Sequence, residues 1–224
     1  MGAIDITGIA ENYQKIRQRI HDAATRSKRD PESIRLLAVT KTVPVEKIRE
    51  SFRCGIRHAG ENRLQDALPK LDALADVDLA WHFIGHIQTN KAKRIAEEFQ
   101  WIHSIDRIEV AEKLDRAALR MISVFIEVKL HEESGKSGIL EASLSHLVTA
   151  VRSSNRLNLQ GLMTVPPYLE DAEKVRPYFR RLRELAQSFD LHELSMGMTH
   201  DFEVAIEEGA TWIRVGTGLF GSRK

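Results

Sequence analysis

The feature that most restricts this chain is an alternation sustained from residue 34 to residue 215. Short apolar runs with β-branched members take turns with longer stretches whose apolar residues recur every three or four positions. Runs of the first kind read as strands buried on both faces, and stretches of the second as helices with one buried stripe. Ile34-Arg35-Leu36-Leu37-Ala38-Val39-Thr40 opens the series, and residues 56–59, 80–84, 101–105, 122–130, 157–163, 193–196 and 211–215 supply seven further strands. Helices are expected between them over residues 44–52, 63–74, 90–99, 108–119, 141–152, 171–189 and 201–208. Strands that alternate with helices pair in parallel through right-handed crossovers. Eight such units in 224 residues fit one closed (β/α)8 TIM barrel. An open doubly wound sheet would carry a Gly-rich turn after its first strand, and Thr40-Lys41-Thr42-Val43-Pro44 is nothing like one.

Ahead of the series, Ile9, Tyr13, Ile16, Ile20 and Ala23 form one apolar stripe on an extra N-terminal helix. Nine residues follow the last strand, too few for a packing helix, so the N-terminal helix is expected to fill that vacant place on the barrel wall. Residues 1–224 then make a single domain.

Composition narrows the partners. With 33 Lys+Arg against 32 Asp+Glu and the signs interspersed, the chain lacks the clustered basic field that nucleic-acid binding needs. Cys54 is the single cysteine, which excludes an internal disulfide, and it reads as a small packing residue. Asp5 and Glu11 stand where a signal peptide would need a basic patch and an apolar run, so a cytoplasmic address is expected. No run approaches the roughly 18 apolar residues of a membrane span, and Ile6 sits where a myristoylation start wants Ser or Thr. His82 and His86 are four apart, but a strand and Gly85 keep them off one helical face, so no metal site is expected. The charged run from 176 to 184 reads as the solvated side of a helix that buries Val175, Phe179, Leu182 and Leu185.

A TIM barrel places its chemistry at the carboxyl ends of the strands, with phosphate commonly held after the seventh and eighth. Lys41 directly follows the first strand. A desolvated lysine there has a lowered pKa and an amine free to attack a carbonyl; the plain alternative is a rim lysine reaching into solvent. Ser195-Met196-Gly197-Met198-Thr199 and Arg214-Val215-Gly216-Thr217-Gly218 leave the last two strands. Their small residues, hydroxyls and free N–H groups make a natural phosphate cradle, with Arg214 as a fixed cationic donor. Taken singly, Thr199 is also a helix cap and the glycines are turn residues. A strand-end lysine with a phosphate cradle suits a phosphorylated aldehyde held as a Schiff base. Pyridoxal phosphate and the sugar phosphate of an aldolase both qualify.

Beyond these parts, the chain carries Ala38-Val39-Thr40-Lys41-Thr42, Gly60-Glu61-Asn62, Trp81-His82-Phe83-Ile84-Gly85-His86-Ile87-Gln88-Thr89-Asn90-Lys91, Gly161-Leu162-Met163-Thr164, Ser195-Met196-Gly197-Met198-Thr199-His200-Asp201 and Arg214-Val215-Gly216-Thr217-Gly218-Leu219-Phe220-Gly221. In this order they resemble the pyridoxal phosphate homeostasis protein family from about residue 36 to 223, most specifically over 193–223. The resemblance implies a barrel similar to the N-terminal domain of alanine racemase. It implies pyridoxal phosphate (PLP) bound through Lys41, no established turnover, and a role in carrying or buffering the cofactor for PLP-dependent apoenzymes, in a monomer. It also implies that Ser195, Gly197, Thr199, Gly216 and Thr217 surround the phosphate, that Arg214 faces the pyridine nitrogen, and that Asn62, His82 and Met163 line the ring pocket. Thr199 stands where the family usually has Ser, and Lys129 where many members have Asn. The Glu133-x-x-Lys136-x-Gly138 spacing matches the family, with Lys136 read as a second cofactor contact or a solvated loop residue. The rival function is a working PLP-dependent racemase.

Overall fold

The structure is a computed structural model and describes residues 8–131 and 137–221. Eight parallel strands run β1 (Arg35–Val39), β2 (His58–Glu61), β3 (Ala80–Phe83), β4 (Trp101–Ile105), β5 (Ile122–Lys129), β6 (Leu157–Met163), β7 (Glu193–Met198) and β8 (Trp212–Val215). Each pairs with its sequence neighbours, and β8 pairs back onto β1 with Ala38 opposite Val215, which closes the barrel. A two-residue strand, Ile139–Leu140, adds in parallel to the end of β5. Helices α2 (Val45–Arg53), α3 (Leu64–Ala73), α4 (Ala92–Glu98), α5 (Ile108–Ala117), α6 (Glu141–Arg152), α7 (Arg176–Ser188) and α8 (Phe202–Glu207) occupy the connections.

The strand period of two sorts side chains between two cores. Leu36, Ala38, Trp81, Phe83, Ile213 and Val215 point out and pack with the helices. Leu37, Phe125, Met163 and Trp212 point in and form a smaller apolar cluster inside the barrel. The helix expected at the N-terminus is α1 (Ile9–Arg26), ahead of the barrel strands, and Ile9, Ile16 and Ile20 are buried on it. It packs against α8 and against α9 (Thr217–Phe220), one helical turn that follows β8. Arg29, just past its end, donates to the carbonyls of Ile206 (2.7 Å) and Ala210 (2.8 Å), tying the helix to the vacant place on the wall.

Some boundaries differ from the sequence reading. The second strand begins at His58, two residues later than expected. Ile56 is buried because its N–H folds back on the Ser51 carbonyl at the corner after α2, so its apolar character marks the corner. The seventh strand runs two residues further, to Met198, and the helices expected over 90–99 and 171–189 each open with a 3-10 turn.

Candidate cofactor site

The site assembles at the carboxyl ends of the strands. Lys41 leaves β1 in a tight turn closed by the Val43 N–H on the Thr40 carbonyl (2.9 Å), with Thr42 in the left-handed region at φ 63°. Lys41 itself is exposed, and the desolvation considered for it is not seen. The residue before it is held from all sides. Buried Thr40 bonds Glu61 Oε1 through its hydroxyl (2.6 Å), and Lys70 Nζ on α3 reaches both the Thr40 carbonyl and Glu61 Oε1 at 2.7 Å. Sequence reasoning gave Glu61 and Lys70 no role.

Across the β1–β8 seam stands the cradle. Thr217 Oγ1 lies 3.4 Å from Thr199 Oγ1, and the Gly218 N–H donates to the same Thr199 oxygen at 3.4 Å. The two expected phosphate loops therefore touch. The first N–H groups of α9 have no acceptors within the helix. Gly197, at φ 89°, lets β7 pass close to α8; a Cβ there would sit 2.6 Å from Ala205 Cβ. Below the loop, Asp201 Oδ1 accepts the Met198 N–H at 2.6 Å.

Arg214 lies on the inner face of β8, buried, and donates to the Ser195 carbonyl (2.6 Å), Ser195 Oγ (2.9 Å) and the Thr164 carbonyl (2.8 Å). Burial pulls its guanidinium down to about 10, against the raising effect of Asp201 and Glu127. Ser195, His82 and Met163 are fully or almost fully buried, deeper in the barrel than the cradle hydroxyls. Asn62 lines two adjoining cavities. One, of about 260 Å³, is bounded by Ile84, Glu127, Lys129 and Val165; the other, of about 510 Å³, by Arg63, Phe83, His86 and Lys91. The Asn62 side-chain oxygen is buried without a hydrogen-bond partner. Glu127 is a further group the sequence did not single out. Burial, with Asp106 nearby, raises its carboxyl to about 7 despite Arg214 and a 3.4 Å bond from Ser137. Lys129 is half-buried beside it, and Lys136 lies outside the described residues.

The residues fit a phosphorylated, aldehyde-bearing heterocycle. The carboxyl end of the barrel offers an exposed lysine just after β1, two hydroxyls 3.4 Å apart for a phosphate, and a buried guanidinium for a ring nitrogen. Among the described residues no group of three or more His, Cys, Asp or Glu could hold a metal ion, and no helix is long and apolar enough to cross a membrane. Cys54 is half-buried against the outer core.

Comparison with known proteins identifies the family of the barrel. Residues 4–224 match the family model of the alanine racemase N-terminal domain, which defines the class of barrel. Curated relatives named pyridoxal phosphate homeostasis protein are 46% identical in Aquifex aeolicus (96% of this chain, 98% of that one) and 46% in Pseudomonas aeruginosa (96% of each). The relative of that name in Escherichia coli K12 is 41% identical, over 96% of this chain and 97% of its own. The chain belongs to the pyridoxal phosphate homeostasis protein family. PipY from Synechococcus elongatus PCC7942, solved with PLP bound, superposes with a TM-score of 0.85 at 38% identity, over 95% of this chain and 100% of PipY. Alanine racemase from Corynebacterium glutamicum shares the fold alone, with a TM-score of 0.72 at 16% identity over 98% of this chain and 62% of the racemase.

Proposed function

We propose that this chain binds pyridoxal 5'-phosphate at the barrel mouth through Lys41 and serves intracellular PLP homeostasis, holding and delivering the cofactor rather than turning over a substrate. The observation that carries the reading is the register of β1 on β8. Ala38 faces Val215, so the Lys41 turn and the Thr217 loop leave the barrel side by side. Thr199 and Thr217 then hold the phosphate, with Gly197 and Gly216 allowing the backbone to come close. Arg214 donates to the pyridine nitrogen, above Ser195, and Asn62 supplies an unpaired oxygen at the pocket wall. His82 and Met163 support the ring pocket from below. Bound PLP supplies an electron sink, and an arginine at its ring nitrogen keeps that nitrogen unprotonated and the sink weak.

Support for a carrier over a racemase comes from the tyrosines as well. Tyr13 and Tyr178 pack against the outer core, and Tyr168 is exposed with its ring 5.3 Å from His200. The reading includes a monomer working in the cytoplasm, with PLP-dependent apoenzymes as recipients. Its test is the visible spectrum after PLP addition, then borohydride reduction and peptide mass mapping. A pyridoxyl mass on Lys41, with no racemisation of amino acids by chiral analysis, is the expected result. A colourless, unmodified protein overturns the cofactor, and steady turnover lost in Lys41→Ala overturns the carrier role.

A further inference from the structure

Inside the barrel a row of polar side chains runs from the mouth to the floor. Arg214 donates to Ser195 Oγ, which lies 2.8 Å from His103 Nδ1; His103 Nε2 lies 2.9 Å from His82 Nδ1; and His82 Nε2 lies 3.0 Å from His58 Nδ1. His82 and His103 are fully buried, while His58, at the start of β2, is half-buried and keeps part of its ring in solvent. Aromatic rings sheathe the row. Trp101 stacks on His82 at 5.2 Å, Phe125 lies 4.4 Å from His103, and Trp212 lies 4.8 Å from His58. Within that sheath the ring nitrogens are the available carriers of a proton.

Hydrogen counting fixes the sense of the row. The Ser195 hydroxyl has one hydrogen and already accepts from Arg214, and among the described residues its remaining partner is His103 Nδ1. A buried hydroxyl hydrogen without an acceptor is costly, so Ser195 donates to His103. His103 then carries its hydrogen on Nε2 and donates to His82 Nδ1, and His82 donates likewise to His58. All three rings are neutral Nε2–H tautomers, and every donation points away from the Arg214 cation. Burial holds the three below the ordinary histidine range, helped by Arg35 at His58 and by Arg214 at His103. The charged groups facing the row are Arg35, paired with Glu193 at the floor, and Arg214, with Asp201 and Glu127 beyond it.

We propose that Ser195, His103, His82 and His58 form a proton relay through the barrel core, which carries a proton from a ligand group that arrives protonated at Arg214 to solvent at the opposite end. It rests on the cofactor reading only for the identity of that group. In one direction Ser195 passes its proton to His103 Nδ1, and His103 and His82 each pass their Nε2 proton onward. His58 releases its Nε2 proton to water, and Ser195 takes a replacement from the ligand group, which arrives protonated and is left unprotonated beside Arg214. Three O–H or N–H bonds break as three form along the row, the protons balance at its two ends, and no electrons change hands. The rings finish as Nδ1–H tautomers, and protonation of His58 Nε2 from water drives the reverse.

The test is long-range proton–nitrogen NMR on the whole chain with nitrogen-15 in its histidines. In the PLP-free protein at pH 7, His58, His82 and His103 are expected in one common tautomer. Mixed tautomers, or a doubly protonated ring, overturn the relay whatever the mouth binds. On addition of PLP the distant His58 signal is expected to shift together with His103; a change at His103 that leaves His58 unmoved overturns the relay. Absence of any pyridoxyl attachment would instead count against the cofactor reading, leaving the tautomer order to decide the relay. His58→Phe removes the outer end and is expected to slow hydrogen exchange at the His103 ring roughly tenfold or more. An unchanged rate overturns the proposal.

Discussion

Lys70 on α3 holds the backbone carbonyl of Thr40 at 2.7 Å, so the residue that precedes Lys41 is anchored by a side chain thirty positions further along the chain. The same ammonium sits 2.7 Å from Glu61 Oε1, whose other oxygen is buried without a partner. The ion pair is buried on the Glu61 side, and it joins α3, β2 and the end of β1 at one point.

Removing one half of that pair leaves a buried, uncompensated carboxylate. Lys70→Met is expected to destabilise the protein by about 3–5 kcal/mol in denaturant unfolding and to weaken PLP attachment at Lys41. Lys70→Met combined with Glu61→Gln should recover most of the stability, because the buried charge is gone, but not the anchoring of Thr40. A single-variant cost below about 1 kcal/mol would show that the pair is screened like a surface bridge.

The three core histidines set a pH dependence. His58 stays neutral down to about 4, and His82 and His103 are also depressed, whereas the unfolded chain protonates all three near 6.5. Between those values the unfolded state binds more protons, so stability is fully present above the unfolded value and falls as pH drops below it. The slope approaches about 4 kcal/mol per pH unit for three protons. Unfolding midpoints measured from pH 7 to pH 4.5 should fall steeply, and His58→Phe should flatten the curve.

Glu127 acts with the opposite sign. Its carboxyl is raised from 4.5 to about 7, so the folded state holds a proton that the unfolded state has lost. That contribution is present below the ordinary carboxyl value and disappears as pH rises through about 7. Glu127→Gln is therefore expected to gain stability relative to the parent on going from pH 5 to pH 8, by about 1–3 kcal/mol. A constant difference between the two proteins across that range would mean that Glu127 is ionised throughout.

How much of this was legible depends on where each residue gets its meaning. The α1 stripe of Ile9, Ile16 and Ile20 was readable because a helix that buries one face writes its period into the sequence. The Lys41 and Thr199/Thr217 assignments followed from a rule about barrel ends, which turns strand boundaries into site positions. His58, His82 and His103 were opaque as a set because each lies on a different strand, and a single polar residue in an apolar run carries no pairing information. Closure of the barrel makes their adjacency visible, once Trp81 and Phe83 point out and His82 is left pointing in. Lys70 was hidden for a plainer reason. A lysine on an amphipathic helix reads as solvated, and its target is a backbone carbonyl.

Gly197 tests the packing under the phosphate loop. Its φ of 89° is a strained region for any side chain, and a Cβ would meet Ala205 Cβ at 2.6 Å and Phe202 Cα at 3.0 Å. Gly221 has a similar φ of 87° but nothing within 4 Å of its would-be Cβ. Gly221→Ala therefore isolates the backbone cost, about 1–3 kcal/mol, whereas Gly197→Ala adds overpacking of about 1–3 kcal/mol against α8. At roughly 2–4 °C per kcal/mol for a chain of this size, the difference is readable by calorimetry. The overlap forces α8 and the Thr199 loop away from β7, so Gly197→Ala should also bind PLP more weakly. Equal Tm losses in the two variants would show that the close approach of β7 to α8 places no demand on that position.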